Sequence, residues 1–499
     1  MSYVIGVDLG TSAVKLLLVN KSGEVVQEVS KDYPLIQEKT GHSEQKPEDW
    51  VEQTVAGLKE LVEQFKGNVS EIEGLSFSGQ MHGLVLLDAE NKPLRNAILW
   101  NDTRTTPQCK EIYDKVGKTK FIDITKNLAL EGFTLPKILW VKENEPDLFA
   151  QAKTFVLPKD YVRYRLTETL HMDYSDAAGT SLLDVAKKEW SQEICDLLDL
   201  PISICPPLVD SHENVGKITS TIADQTGLST DTDVFAGGAD NACGAIGSGI
   251  LSEGKTFASI GTSGVVLSYE PTGDKDYQGK VHYFNHGEED AYYAMGVTLA
   301  AGHSLNWFKT TFASDKSFEE LLDGVGDVPV GANGLLFTPY VVGERTPHAD
   351  SQIRGSFIGM DSSHTIKDFA RSVLEGITFS LNESIAIFRE NGKQIDTIYS
   401  IGGGAKNPDW LQMQADIFNA NIVKLKSEQG PGMGAAMLAA FGSGWFSSLK
   451  DCADTFLEDA ETYQPISANV EKYQQLFNLY KNVYTQTKEL NHDLMKFRK

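Results

Sequence analysis

The sequence predicts an α/β protein of two related domains, each layering strands against helices. Three observations lead there. At 499 residues the chain exceeds the length over which one hydrophobic core keeps growing. Its first hundred residues alternate strand, helix and strand patterns. One short device, a glycine-led hydroxyl turn between two strand patterns, occurs twice: Gly10-Thr11-Ser12-Ala13-Val14 and Gly261-Thr262-Ser263-Gly264-Val265.

The elements follow in order. Residues 3–8, 13–20 and 25–34 read as strands, with Lys21-Ser22-Gly23 as the tight turn between the last two. From Pro47, Trp50, Val51, Val55, Leu58, Leu61, Val62 and Phe65 recur with a 3.6-residue rhythm, which predicts an amphipathic helix. Residues 74–78 and 84–88 return to short strands. Residues 234–238 form a strand ending in glycines, and Asp240 then opens a small-residue segment. The division between lobes is expected there, giving residues 1–247 and 248–499. The second lobe carries another glycine-ended strand at Ile401-Gly402-Gly403-Gly404 and helical patterns over 410–418 and 434–441. A last helix presents Val470, Tyr473, Leu476, Phe477, Tyr480, Val483 and Tyr484 on one face.

Charge narrows the partners. With 45 basic and 69 acidic residues the formal net charge is −24, which disfavours nucleic acid and anionic membrane surfaces. ATP stays compatible, because a local cradle of N–H groups and a metal outweigh the global field. The five cysteines are scattered without a C-x-x-C pair and read as reduced thiols of a cytosolic protein. The N-terminal residues run straight into a strand pattern with no signal-peptide features, and no apolar stretch approaches the roughly 20 residues of a membrane span.

The candidate chemistry sits at strand ends. In each Gly-Thr-Ser turn, glycine lets successive N–H groups converge and the hydroxyls add donors, so Gly10, Thr11, Ser12, Gly261 and Thr262 can receive phosphate oxygens; a plain hairpin explains the same residues locally. Asp8, two residues before the first turn, suits a Mg²⁺ ion or simply caps the turn. Asp240 follows two glycines and opens a helix, a place for a general base toward an alcohol or for an N-cap. In Gly402-Gly403-Gly404-Ala405-Lys406-Asn407, the missing side chains admit a flat ligand such as adenine or a tight strand packing. That loop has neither the G-x-G-x-x-G nor the G-K-[ST] pattern, so dinucleotide folds and P-loops are disfavoured. His82 between glycines in Ser78-Gly79-Gln80-Met81-His82-Gly83, and the segment Trp100-Asn101-Asp102-Thr103-Arg104, mix aromatic and polar groups as sugar sites do; a surface histidine and a buried ion-pair corner are the plainer readings.

These residues resemble the FGGY carbohydrate kinases over nearly the whole chain. One family signature is similar to residues 132–144, beginning Gly132-Phe133-Thr134-Leu135-Pro136-Lys137; the other to residues 355–375, with Gly355, Phe357, Gly359, Met360, Asp368, Ser372 and Glu375 in place. The resemblance implies an actin-like, ribonuclease-H-type fold in both lobes, a catalytic cleft between them and closure about a hinge. It implies Asp240 as general base, Asp8 as organiser of Mg²⁺, the two Gly-Thr-Ser turns as phosphate loops, and Gly403, Gly404 and Asn407 in an adenosine loop. Gln80-Met81-His82-Gly83 looks like the form carried by the branch that phosphorylates D-xylulose, with Met81, His82 and Asn241 at the sugar. The arginine and glutamate of glycerol-specific relatives are missing there. The expected partners are therefore D-xylulose, ATP and Mg²⁺, with a homodimer left open. Another ketopentulose or a sugar acid is the nearest alternative substrate, and an actin-like ATPase the alternative of a different class.

Overall fold

Strand Tyr3–Leu9 is apolar on both faces, with Val4, Ile5, Val7 and Leu9 fully buried, as a central strand must be. The computed structural model of the chain, which describes residues 2–498, shows what covers each face. Ile5, Val7 and Leu9 pack with Trp50, Leu58 and Leu61 of the helix Pro47–Gln64. Val4 belongs instead to a second core layer with Met433, Ala436 and Met437 of the helix Gly430–Gly442. Gly6 shares that second face, and a Cβ there would lie 2.2 Å from Gly432 O and 2.8 Å from Ala436 N. The period of two thus carries Val4, Gly6 and Asp8 to one side of the sheet, with Asp8 at its carboxyl end.

The chain divides into two compact units. The first takes Met1–Leu251, Glu270–Tyr293 and Gln429–Leu457; the second takes Ser252–Tyr269, Ala294–Glu428 and Glu458–Lys499. A division at residue 247 would assign two of these later stretches to the second unit. The physical reason for the return is the small-residue helix Gly430–Gly442, which has no polar face to give to water and buries itself against the first sheet.

In the first unit the strand order is Asn214–Lys217, Asp233–Phe235, Ile72–Gly79, Tyr3–Leu9, Ala13–Asn20 and Val25–Asp32. Tyr3–Leu9 runs antiparallel to Ala13–Asn20, placing Asp8 opposite Lys15, and parallel to Ile72–Gly79, placing Asp8 opposite Ser78. The third strand stops at Asp32 rather than residue 34, because the Tyr33 amide turns away to Ser12 O and Pro34 has no amide to pair. The strand expected over 84–88 is Val85–Leu87, and it pairs with Thr154–Val156 outside the main sheet.

The second unit repeats the plan. Lys255–Ile260 runs antiparallel to Gly264–Glu270 and parallel to Thr397–Gly402, with Ile260 opposite Gly402. Asn421–Leu425 and Asp459–Tyr463 extend the sheet beyond. In both units, then, a hairpin strand lies beside a parallel strand that ends in glycine. The 25-residue helix Ile366–Glu390 is largely buried and begins with a capping box, Thr365 with Asp368. The closing helix Ser467–Leu494 buries Val470, Tyr473, Phe477, Tyr480 and Val483, while Leu476 and Tyr484 are less deeply packed.

Candidate active site

The two Gly-Thr-Ser turns share one construction. In the first unit, Gly10 O accepts from the Tyr33 hydroxyl, Thr11 O accepts from Gln45 Nε2 at 2.7 Å, and Ser12 O accepts from the Tyr33 amide at 3.1 Å. In the second unit, Gly302 N donates to Gly261 O at 2.8 Å, His303 N to Thr262 O at 3.0 Å, and Gly261 N to Ser263 O at 3.0 Å. With these carbonyls drawn toward the protein, the remaining hydroxyls and amides of each turn are the groups an anion would meet. Gly302 is needed for this, since a Cβ there would stand 2.5 Å from Gly261 O. Trp100 Nε1 donates to Thr11 Oγ1 at 3.0 Å and so braces the first turn.

Asp8 and Asp240 carry the electrostatics of the first unit. Burial raises the Asp8 carboxyl above its ordinary value, while the neighbouring Ser78 hydroxyl and the Lys15 ammonium pull it down. Burial and then the like charge of Asp8 raise Asp240 to about 7. Asp240 is the first residue of the helix Asp240–Gly247, but Ala239 is its N-cap and makes no side-chain cap bond. The capping role open to Asp240 in the sequence is therefore not the one it fills. Its Oδ1 instead accepts from the Asn241 amide at 2.7 Å and from Asn241 Nδ2 at 3.0 Å. Asn241 Nδ2 also reaches Met81 Sδ at 3.4 Å, so Met81, Asn241 and Asp240 form one group.

His82 is held beside them by its backbone and its ring. It has φ 68°, in the left-handed region, where two bonds pin its carbonyl: Lys137 Nζ at 2.9 Å and Thr134 Oγ1 at 3.1 Å. Burial keeps the Lys137 amine well below its ordinary value. The His82 ring stacks on Phe133 with centroids 4.3 Å apart, and Nδ1 lies 2.7 Å from Gly179 O. A carbonyl only accepts, so Nδ1 carries the proton of this bond. Phe133, Lys137 and Gly179 were not singled out as site residues in the sequence. The first two stand in the family signature at 132–144; Gly179 carries no sequence signal, though a Cβ there would stand 2.9 Å from His82 Nδ1.

Within residues 100–104 the charged side chains are engaged with each other and with Glu44. Arg104 grips Asp102 with two bonds of 2.9 and 2.6 Å and pairs with Glu44 at 2.7 Å, and its guanidinium lies 4.8 Å from the Trp140 ring centroid. That is the ion-pair corner. A second buried cluster, Asp160, Asp173 and Asp176, has carboxylate oxygens within 4.8 Å of one another, a spacing suited to a metal ion. The Lys159 ammonium fills it, at 2.8, 2.6 and 2.7 Å from the three.

The second unit holds a cavity of 890 Å³, within the range of small-molecule sites. Gly261, Thr262, Gly403, Gly404 and Asn407, all singled out in the sequence, line it together with Leu305, Phe318 and Trp410. The glycines differ in purpose. Gly404 makes room for Ile260, whose Cβ would be 2.6 Å from an added methyl, whereas a Cβ at Gly403, which also lines the cavity, meets only Ile260 O at 3.4 Å. Asn407 Oδ1 accepts from Trp410 N at 2.9 Å and caps the helix Pro408–Phe418. All five cysteines are free thiols, and no described helix is long and apolar enough to cross a membrane.

Comparison with known proteins gives the family. Residues 3–247 match the N-terminal domain of the FGGY family of carbohydrate kinases, and residues 256–443 its C-terminal domain. The chain is 63% identical to the xylulose kinase of Bacillus subtilis (strain 168) over 499 residues, covering all of both chains. Among solved structures, ligand-bound xylulose kinase from Lactobacillus acidophilus has a TM-score of 0.93 at 29% identity, with 98% of this chain and 99% of that one covered. Gluconate kinase from Lactobacillus acidophilus has a TM-score of 0.94 at 29% identity, with both chains fully covered.

Proposed function

The chain belongs to the FGGY family of carbohydrate kinases, and from that premise we propose that it transfers the γ-phosphoryl group of ATP to the C5 hydroxyl of D-xylulose, giving D-xylulose 5-phosphate and ADP. The observation that carries this reading is the grouping of Asp240 with Asn241 and Met81, close to a ring-stacked His82. Asp240 is the base. Its Oδ1 is occupied by the two donors of Asn241, so Oδ2 takes the hydroxyl proton as the hydroxyl oxygen attacks phosphorus. A carboxyl raised to about 7 is matched to that task near neutral pH. The His82 ring reads a sugar hydroxyl, Met81 supplies an apolar wall, and Asn241 holds the base.

Two carboxylates both raised by burial, one of them further by the other's charge, fit a divalent cation. Asp8 would hold it, and Mg²⁺ bound there would neutralise charge on the phosphate oxygens. Thr11 and Ser12 in the first unit and Thr262 in the second present donors to phosphate, while Gly10 and Gly261, whose amides close their own turns, leave room for the phosphate oxygens to approach. Gly403, Gly404 and Asn407 border the adenosine in the 890 Å³ cavity. The setting in which ATP and reduced thiols coexist is the cytoplasm.

A second reading, a sugar acid as acceptor, has the gluconate kinase likeness behind it. Against it, the basic side chains near the group are engaged: the Lys137 amine with two carbonyls and the Lys159 ammonium with three carboxylates. The test is ADP release with D-xylulose, D-ribulose, L-ribulose, L-xylulose, gluconate and glycerol. D-xylulose should exceed D-ribulose in kcat/KM by at least about tenfold, since a buried polar group left without its partner costs about 1–3 kcal/mol. His82→Ala should narrow that gap. Gluconate as best substrate would replace this reading with the second, and no sugar-dependent ADP release would leave an ATPase.

A further inference from the structure

We propose that Ser175 is a positioning residue for Asp240, its hydroxyl fixing the Ala239 amide at the junction where strand becomes helix, with the buried Lys159–Asp173 ion pair as its anchor. The inference rests on Asp240 being the base. Asp173 Oδ2 accepts from the Ser175 amide at 2.9 Å, from the Ser175 hydroxyl and from Ser211 Oγ at 3.0 Å. The Ser175 proton is thereby committed to Asp173. A lone pair of the same oxygen accepts from Ala239 N at 2.9 Å. Ala239 is the residue before Asp240, so the chain of contacts runs from Lys159 Nζ through Asp173 and Ser175 to the backbone of the base.

The approach is built into neighbouring residues. A Cβ at Gly238 would stand 3.2 Å from Ser175 Oγ, and one at Gly79 would stand 2.6 Å from Lys159 Cβ. A second tether leaves the same cluster: Arg163 Nη1 bonds Asp160 at 3.0 Å and also donates to Ala236 O, upstream in the segment that leads to Asp240. The cluster comprises two cations, Lys159 and Arg163, and three acids. Burial pushes the Asp176 carboxyl well above its ordinary range, while the Lys159 ammonium at 2.7 Å pulls it down. Lys159 stays charged, because the carboxylates outweigh the burial that would otherwise lower it.

One short helix, Tyr174–Ala178, therefore serves two active-site residues. Ser175 near its start holds the amide before Asp240, and Gly179 at its end accepts from His82 Nδ1. The distance from proton acceptor to sugar reader is set by a single rigid turn whose root is a buried ion pair.

The test uses the full-length protein with D-xylulose and ATP. Ser175→Ala leaves the Ala239 donor buried without an acceptor, and kcat should fall by about 5- to 150-fold while KM for ATP is unchanged. Freed from its tether, Asp240 meets more water, so the acid limb of kcat/KM should move to lower pH; a loss of folded protein would only scale the profile. In an Asp240→Asn background, Ser175→Ala should cost nothing further, because it acts through Asp240. If Ser175→Ala does not fold, Ser175→Cys keeps an acceptor at a longer reach and should give an intermediate kcat. A kcat within twofold of the parent for either folded variant, or a Ser175→Ala loss that multiplies with the Asp240→Asn loss, overturns the proposal. Asp240→Asn alone separates the two ideas: if it retains more than a tenth of parental kcat the base assignment fails, and if it is inactive while Ser175→Ala is normal only the positioning role fails.

Discussion

Asp240 and Asp8 oppose each other at the scale of single residues, and the opposition has measurable signs. Asp240→Asn should lower kcat by about 10²–10⁴ at saturating substrates, with nucleotide affinity by calorimetry unchanged. In the parent, the base must be ionised, so kcat/KM should rise with pH through about 7 and then level. Because Asp8 contributes to that value by its like charge, saturating Mg²⁺ should shift the limb to lower pH; a limb indifferent to Mg²⁺ would argue against Asp8 as the metal residue. Stability has the opposite sense. The folded carboxyl holds its proton more tightly than an unfolded one near 3.9, so its ionisation destabilises the fold progressively from about pH 4 to about 7. Asp240→Asn should therefore melt above the parent at pH 8, by a few degrees, and lose that advantage toward pH 4. Much of this site was legible because its members are chain neighbours: Met81 with His82, and Asp240 with Asn241, fall within single motifs. Gly179 and Ser175 were not, since each acts on a residue at least 64 positions away and neither type carries a signal of its own.

Glycines decide how closely elements approach, and two pairs of them make opposite predictions. In the helix Gly430–Gly442, a Cβ at Gly434 would fall 1.8 Å from Cys243 O in the helix Asp240–Gly247. A Cβ at Gly247 would lie 2.4 Å from Gly430 O. Gly434→Ala must push these helices apart, and urea unfolding should show a loss of about 1–3 kcal/mol or more, accompanied by lower kcat because Asp240 rides on the displaced helix. In the cavity of the second unit the same change acts differently at adjacent positions. Gly403→Val should raise KM for ATP by at least about tenfold with little effect on melting, for it lines the cavity proposed for adenosine and crowds no protein atom there. Gly404→Val should chiefly lower the melting temperature, for it meets Ile260. Equal effects of the two on melting would refute the division of labour. The strands and helices themselves were readable from periodicity, as with Pro47–Gln64. Strand Val85–Leu87 was readable as a strand but not in its partner, because pairing with Thr154–Val156 depends on a loop closure of nearly seventy residues that no local pattern encodes.

The whole molecule is less modular than its sequence. The repeated Gly-Thr-Ser turn correctly announces two units of one plan, yet their borders follow burial rather than chain order, since Gln429–Leu457 completes the first unit. A fragment of residues 1–247 lacks Met433, Ala436, Met437 and Leu438, which cover Val4, Leu17, Val19 and Phe235. It should bind a hydrophobic dye and lose its near-UV circular dichroism, and a fragment that melts cooperatively with a closed core would contradict the covering role. The helical pattern over 434–441 was legible, though the helix begins earlier at Gly430, but its docking partner was not, because an all-apolar helix shows no face to orient it. That late-arriving helix also sets a schedule at the ribosome. About 200 residues separate Leu251 from Leu457, and at roughly 5–20 residues per second their synthesis takes roughly 10–40 s. Throughout that interval the nascent first sheet waits with one face uncovered, so the protein's exposure to chaperones and to aggregation is fixed by translation speed rather than by the stability of the finished fold.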